Sequence, residues 1–187
     1  MELGSVVGAM EIAEELGGET KGRWEKYQHL DMTPAEACFV YVVMKQLDRR
    51  SGRVAEIRTG VGATTRLMAD ALGKGFGGTI EVYDNFEHTA ATIRRYGSGK
   101  GANDSSYFEI WRDNTRSIRS MIELHRGHFL STARDAVAPL DILYVNGVPD
   151  ERLMQALQMS FYRRLRVGGI LIHREYFRWQ FPWAAAQ

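Results

Sequence analysis

Apolar residues recur along this chain in two rhythms. Leu3, Val6, Val7, Met10, Ala13 and Leu16 fall at helical spacing and predict an amphipathic helix over residues 3–16. A polar stretch follows as far as Met32, with Trp24 and Tyr27 as candidate anchors. Thr33-Pro34-Ala35-Glu36 is a helix start: a threonine N-cap, proline in the first turn and a glutamate placed to complete a capping box. Ala37, Val40, Tyr41, Met44 and Leu47 give that helix a buried stripe. From Arg53 the pattern changes, and strand-like runs alternate with helical ones. "RVAEIRT", "TIEVYD", "MIELHRG", "LDILYVN" and "GILIHREY" read as strands. Between them, Ala63 to Leu72 and Phe86 to Arg95 read as helices, and Tyr107, Trp111, Asn114 and Ile118 share one helical face. Leu153, Leu157, Phe161 and Leu165 predict a long helix that Gly168-Gly169 ends. "YGSGKGAND" is a loop, and no segment repeats.

Strands alternating with helices imply an α/β fold: a doubly wound, Rossmann-like, mostly parallel sheet with helices on both faces. The expected organisation is one domain over 1–187. It comprises an N-terminal helix and lid-like segment (1–32), a core (33–175) and an aromatic tail (176–187). In such a sheet, ligands sit beyond the carboxyl ends of the strands, near the topological switch.

Composition narrows the classes further. The 187 residues are 44% hydrophobic and 25% charged, an ordinary globular profile. A net charge of +1 supplies no general field for nucleic acid or an anionic membrane. Cys38 has no second cysteine to pair with and reads as a small buried hydrophobe. With Glu2 and Glu11 near the start and no long apolar run, the expectation is a cytoplasmic protein without a membrane span.

The strand ends carry the candidate chemistry. In "EIRTGVGATT", Gly60 and Gly62 permit unusual dihedrals and close approach to a ligand, and the amides of Ala63 and Thr64 open a helix suited to negative charge. A tight turn with no ligand explains the same glycines. Asp84 ends the second strand, where a carboxylate accepts ribose hydroxyls; Asp84 or Asn85 equally suits a helix cap. The third small residue of a pyrophosphate turn is missing, since Thr65 stands there, and there is no phosphate loop. Glu56 would repel a pyrophosphate but suits a cofactor bearing an amine or sulfonium.

In "VAEIRTGVGATTRLMADAL", "IEVYDNFEHT", "PLDILYVNG" and "FYRRLRVGGILIHREYFRWQFPW", the chain resembles class I S-adenosylmethionine (SAM)-dependent methyltransferases. More narrowly, it is similar to small-molecule O-methyltransferase-like proteins of sugar and secondary metabolism, over roughly residues 33 to 183. The resemblance implies that Glu56, Gly60 and Gly62 surround the methionine part of SAM, with Arg58, Thr59, Ala63 and Thr64 also among the cofactor-binding residues. It implies that Asp84 holds the ribose and that Gly127, His128 and Phe129 border the adenine, with Asn85, Phe86 and Asn146 also among the cofactor-binding residues. It also leaves the family's last two strands outside this chain.

Four positions depart from the family. Arg58 replaces the usual first glycine, His128 and Asn146 stand where aspartate is common, and Arg174-Glu175 replace a polar residue and aspartate. Arg58 has three open roles: pairing with the cofactor carboxylate, filling the site against Glu56, or pointing to solvent. Asn146 keeps the shape of aspartate without its charge, which leaves Asp150 and Glu175 as weak metal candidates, so no metal is expected. Candidate bases for an acceptor hydroxyl are His173, Glu175 and His128; a packed, backbone-bonded histidine is the plain alternative for His173. His29, His88 and His125 read as surface or satisfied residues. Arg94-Arg95 read as helix-end cations, and Arg163, Arg164 and Arg166 as the polar face and last turn of the long helix. Tyr176, Phe177, Trp179, Phe181 and Trp183 make an aromatic tail expected to form a homodimer, alone or with the sheet edge, or to close over the site. The implied activity is methyl transfer from SAM to a small hydroxylated metabolite. The alternative is a methyltransferase-like module with lost or altered chemistry.

Overall fold

The computed structural model describes residues 27, 30, 32–48, 50–87, 93, 106–133, 138–147 and 150–174, with 129 and 130 as backbone only. The helix expected over 3–16, Trp24, His29, His88, Arg94-Arg95, the loop 96–104, Glu175 and the aromatic tail lie outside them. The chain forms two compact units.

The first unit comprises Met1–Ser51, Gly60–Gly78 and Phe86–Met121. Helix α1 (Pro34–Lys45) opens as predicted: the Thr33 hydroxyl accepts from the Glu36 amide at 3.2 Å, and the Glu36 carboxylate accepts from the Thr33 amide at 2.7 Å. Its buried residues are Ala37, Cys38, Val40, Val43 and Met44. Helix α2 (Ala63–Leu72) buries Leu67, Met68, Ala69, Ala71 and Leu72. Tyr27 is the anchor foreseen for the polar stretch: it is buried, and its hydroxyl donates to Asp70 Oδ2 at 2.7 Å. Helix α3 (Phe108–Thr115) passes into a 3-10 turn over Arg116–Met121. The helix expected from Phe86 does not begin there. Phe86 has φ 58°, a left-handed conformation, and Glu87 bridges antiparallel to Ser106. The Phe86 ring is fully buried among Tyr107, Phe108 and Trp111, with centroids 5.6, 5.1 and 5.3 Å away.

The second unit, Gly52–Thr59, Thr79–Asn85 and Ile122–Gln187, contains the sheet. Strands β1 (Arg53–Ile57), β2 (Thr79–Asp84), β3 (Ile122–Arg126), β4 (Leu140–Val145) and β5 (Leu165–His173) are all parallel, in the order β3-β2-β1-β4-β5. The order reverses direction between β1 and β4, so the topological switch lies at their carboxyl ends. Backbone bonds continue the ladders past the strands: Arg58 N–H to Tyr83 O at 2.9 Å, Asn146 N–H to Ile57 O at 3.0 Å and Arg174 N–H to Val145 O at 3.0 Å. Ala55, Ile57, Leu143 and Val145 form a core with Leu153, Met154, Ala156, Leu157 and Phe161. Each large apolar side chain buried there contributes about 1.5–3 kcal/mol.

Two features of this unit correct the sequence reading. Helix α4 is Phe129–Thr132, and the expected long helix is three short pieces: α5 (Glu151–Ala156), a π-helical turn over Leu157–Phe161 and a 3-10 turn over Tyr162–Arg164. Leu165 is already strand, paired with Leu140, and Gly168-Gly169 lie inside β5. Ile142 pairs with Ile170, so the segment Arg166–Gly169 bulges out of register, with Gly168 at φ 79° and Val167 fully exposed. A Cβ on Gly169 would meet Arg166 O at 2.9 Å, so the tight bulge needs glycine there.

The second correction is Arg164, which is buried rather than part of a polar face. It donates twice to the Glu81 carboxylate at 2.7 Å each, to Tyr83 Oη at 3.1 Å and to Ala138 O at 2.9 Å. Arg53 adds a bond to Glu81 at 2.6 Å, and the Tyr83 hydroxyl donates to Glu81 at 2.7 Å. Burial pushes the Glu81 carboxyl up, but the bonds from Arg164, Tyr83 and Arg53 outweigh it and hold the group below its ordinary value. Burial, then the Glu81 carboxylate, pushes the Tyr83 hydroxyl up. His125 stacks on Tyr83 with ring centroids 4.3 Å apart, and its Nε2 lies 3.3 Å from Glu123. That makes it a structural histidine.

Candidate functional site

In the sheet unit, the carboxyl ends of the strands gather most of the predicted residues. Glu56 is fully buried on β1, Thr59 is buried just beyond it, and Asp84 is 3% exposed at the end of β2. A carboxylate this deep needs a polar partner or a ligand. Asn85 is exposed. Gly127 continues the sheet, its amide donating to Asp84 O at 3.0 Å. His128 is exposed, and its carbonyl starts α4 by accepting from the amides of Ser131 and Thr132 at 2.9 and 3.1 Å. Phe129 is the first residue of α4.

Arg58 is the residue whose role the sequence left open. It leaves β1 with φ 62°, the left-handed region that glycine favours and that costs other L-residues about 1–2 kcal/mol. Its guanidinium reaches the loop after β4, where Nη2 donates to Asp150 Oδ2 at 2.8 Å. On the way it lies against Gly147, where a Cβ would come within 2.9 Å of Arg58 Nη1. Asp150 is fixed from its other side, because Oδ1 accepts from the Leu153 amide at 2.8 Å and caps α5. Burial pushes its carboxyl up, but the Arg58 bond and the Leu153 amide hold it below its usual value. The ion pair was not foreseen. Asp150 looked like a weak metal candidate; the only signal was its position three residues before an apolar helical run.

The β5 exit adds two more contacts to that loop. His173 Nε2 is 3.2 Å from Gly147 O, and Arg174 Nη1 donates to Asn146 Oδ1 at 2.9 Å. A carbonyl only accepts, so Nε2 carries the proton and the neutral ring has its lone pair on Nδ1. Burial pushes the His173 pKa down, against the bond to Gly147, and the Arg58 charge pushes the same way as burial. The backbone-bonded arrangement foreseen as an alternative for His173 is therefore present. Arg58, Asn146, Gly147, Asp150, His173 and Arg174 form one polar cluster at the switch.

In the helical unit, Gly60 and Gly62 have the positive φ their positions predict, 60° and 84°. Gly62 has a packing reason as well: a Cβ there would stand 2.7 Å from Thr115 Cγ2 and 2.9 Å from Trp111 Cδ1. Asn114 Nδ2 donates to Val61 O at 2.8 Å, so α3 fastens this turn. Ala63 and Thr64 are buried. Among the described residues, no group of three or more His, Cys, Asp or Glu is arranged to hold a metal, and no helix is long and apolar enough to cross a membrane.

The fold recurs in solved structures. The chain is similar to cofactor-bound Rv0187 from MTB, with a TM-score of 0.55 and 16% identity over 90% of this chain and 62% of that one. It is also similar to the SAH-bound methyltransferase PaMTH1 of Podospora anserina, with a TM-score of 0.52 and 13% identity over 85% of this chain and 59% of that one. The fold is that of class I SAM-dependent methyltransferases. By sequence, no family model and no curated protein matches. The chain spans about three fifths of the length of these two proteins.

Proposed function

We propose that this methyltransferase-fold chain binds SAM at the carboxyl end of its sheet and transfers the methyl group to a small hydroxylated acceptor, a sugar or secondary metabolite. One observation carries the reading: two buried carboxylates, Glu56 and Asp84, stand on adjacent strands of a parallel sheet, toward the ends where ligands bind in this architecture. The residues fit the cofactor in part. Asp84 suits the ribose hydroxyls, Glu56 suits an amine or sulfonium, and Asn85, Gly127, His128 and Phe129 follow β2 and β3 where the nucleoside would lie.

When bound, SAM supplies an already activated methyl group, so the chain's work is positioning and proton removal. His173 is the group assigned to the proton. Its Nε2–H bond to Gly147 fixes the tautomer and leaves Nδ1 as the base, and its lowered pKa keeps the ring neutral near pH 7. His128 and Glu175 are the remaining candidates of the same proposal. Dimerisation belongs to it too: β5 is outermost in the strand order and exposes Val167 and Leu171.

A second reading, a module of this fold without methyl transfer, is favoured by the Arg58–Asp150 pair across the switch. Calorimetry with SAM and its demethylated product S-adenosylhomocysteine (SAH) tests binding. Asp84→Ala is expected to weaken it at least tenfold (about 1.4 kcal/mol). Absence of saturable binding, both by the wild type and by a variant relieved of Arg58, would sink the cofactor proposal. Binding without turnover across a broad panel of hydroxylated acceptors favours the second reading.

A further inference from the structure

The poorest fit to the proposed cofactor is also the most specific arrangement in the sheet unit. Arg58 exits β1 in a left-handed conformation, with φ 62°. Its side chain crosses to the loop after β4, and β1 and β4 are the neighbouring strands between which the order reverses. The guanidinium has a shaped resting place. Gly147, at φ 154°, has no side chain, and a Cβ there would stand 2.9 Å from Nη1 and 3.1 Å from Cδ. The receiving carboxylate is pre-oriented, because the Leu153 amide holds Asp150 by its other oxygen at 2.8 Å. Yet the pair is not sealed: the two side chains are 35% and 48% exposed. A contact open to water exchanges far more readily than a buried one.

We propose that Arg58 is an intramolecular latch: it occupies the switch-point crevice and must leave Gly147 and Asp150 before the amino-acid portion of SAM can enter. This rests on the SAM reading above. The chain's own cation rests where the ligand's cationic portion would go, and Glu56 lies two residues upstream on the same strand. Opening breaks the Asp150 bond and the Gly147 contact, while the Leu153 amide keeps Asp150 in place. The latch thus sets how much of the protein is competent to bind, and apparent affinity falls by that fraction.

The test is calorimetric titration of SAH into the full chain as wild type, Arg58→Gly, Arg58→Lys and Asp150→Asn. Arg58→Gly suits the left-handed backbone and removes the latch, so it is expected to bind at least tenfold more tightly than wild type. Asp150→Asn keeps the helix cap but drops the charge and is expected to gain several-fold, with Arg58→Lys between wild type and Arg58→Gly. An affinity of Arg58→Gly equal to or below that of wild type overturns the latch and assigns the guanidinium to the cofactor carboxylate. If no protein binds, the SAM reading fails by itself, and the latch is judged by thermal unfolding of Arg58→Met, Asp150→Asn and the double variant. A double variant that loses no more Tm than the worse single variant supports the latch. Additive losses overturn it.

Discussion

Two arginine–carboxylate pairs stand at opposite ends of the same sheet, and they differ in how far water reaches them. At the amino end, Arg164 and Glu81 are 4% and 3% exposed, joined by two bonds at 2.7 Å and flanked by Arg53 and Tyr83. At the carboxyl end, Arg58 and Asp150 are 35% and 48% exposed and share one bond at 2.8 Å. The first pair is shut in, with further partners around it; losing one member strands a charge in the interior. The second makes its bond partly in water, so breaking it costs little and a ligand can compete for either member. One chemistry therefore serves as a fixed strut at the closed end and as an exchangeable contact at the end where ligands bind.

The comparison breaks first at the strut. Arg164→Met leaves the Glu81 charge without its bidentate partner and is expected to cost about 3 kcal/mol, read by urea unfolding. Glu81→Gln in the same chain restores part of that loss. Gly147→Ala sharpens the other side. It adds a methyl at φ 154° against Nη1, so it is expected to cost about 1–2 kcal/mol and, by lifting the guanidinium off its shelf, to raise SAH affinity. Arg58→Gly trades relief of a left-handed backbone for loss of a half-exposed ion pair. The two effects oppose each other, leaving a net change within about 1 kcal/mol.

The smallest expected effect is the pH response at the carboxyl end. His173 has a depressed folded pKa, so the unfolded chain binds more protons just below its ordinary value of about 6.5. Its contribution to stability is complete above that value and declines as pH falls below it; His173→Gln flattens the slope between neutral and mildly acidic pH. Asp150 and Glu81, also depressed, contribute above the ordinary carboxylate range of about 4, and that contribution is lost as pH falls through their lower folded values.

Local chemistry made much of the fold legible. The capping box at Thr33–Glu36, the helix Ala63–Leu72 and the strand Thr79–Asp84 depend on neighbours in sequence, and the structure places them where the patterns do. The positions of Glu56 and Asp84 toward strand ends followed from the same alternation, while their burial came from the fold. What stayed hidden depends on distant partners. Arg164 looked like a solvated helix-end cation because Glu81 lies 83 residues away, and Arg58 kept three open roles because Asp150 lies 92 residues away. Leu165 matched the every-fourth-residue pattern of Leu153, Leu157 and Phe161, but pairing with Leu140 claimed it for a strand. Phe86 was expected among the cofactor-binding residues, and its surroundings are three aromatic rings from a segment about twenty residues downstream.

The out-of-register segment Arg166–Gly169 gives β5 spare length ahead of the pairs Ile170 to His173 make with β4. Insertions, deletions or a short peptide tag at Val167 would be absorbed by that slack, and His173 would keep its reach to Gly147. Sequence drift and protein engineering thus have a tolerant site near the closed end of the sheet, where a tag or dye can be attached without editing any residue of the cluster.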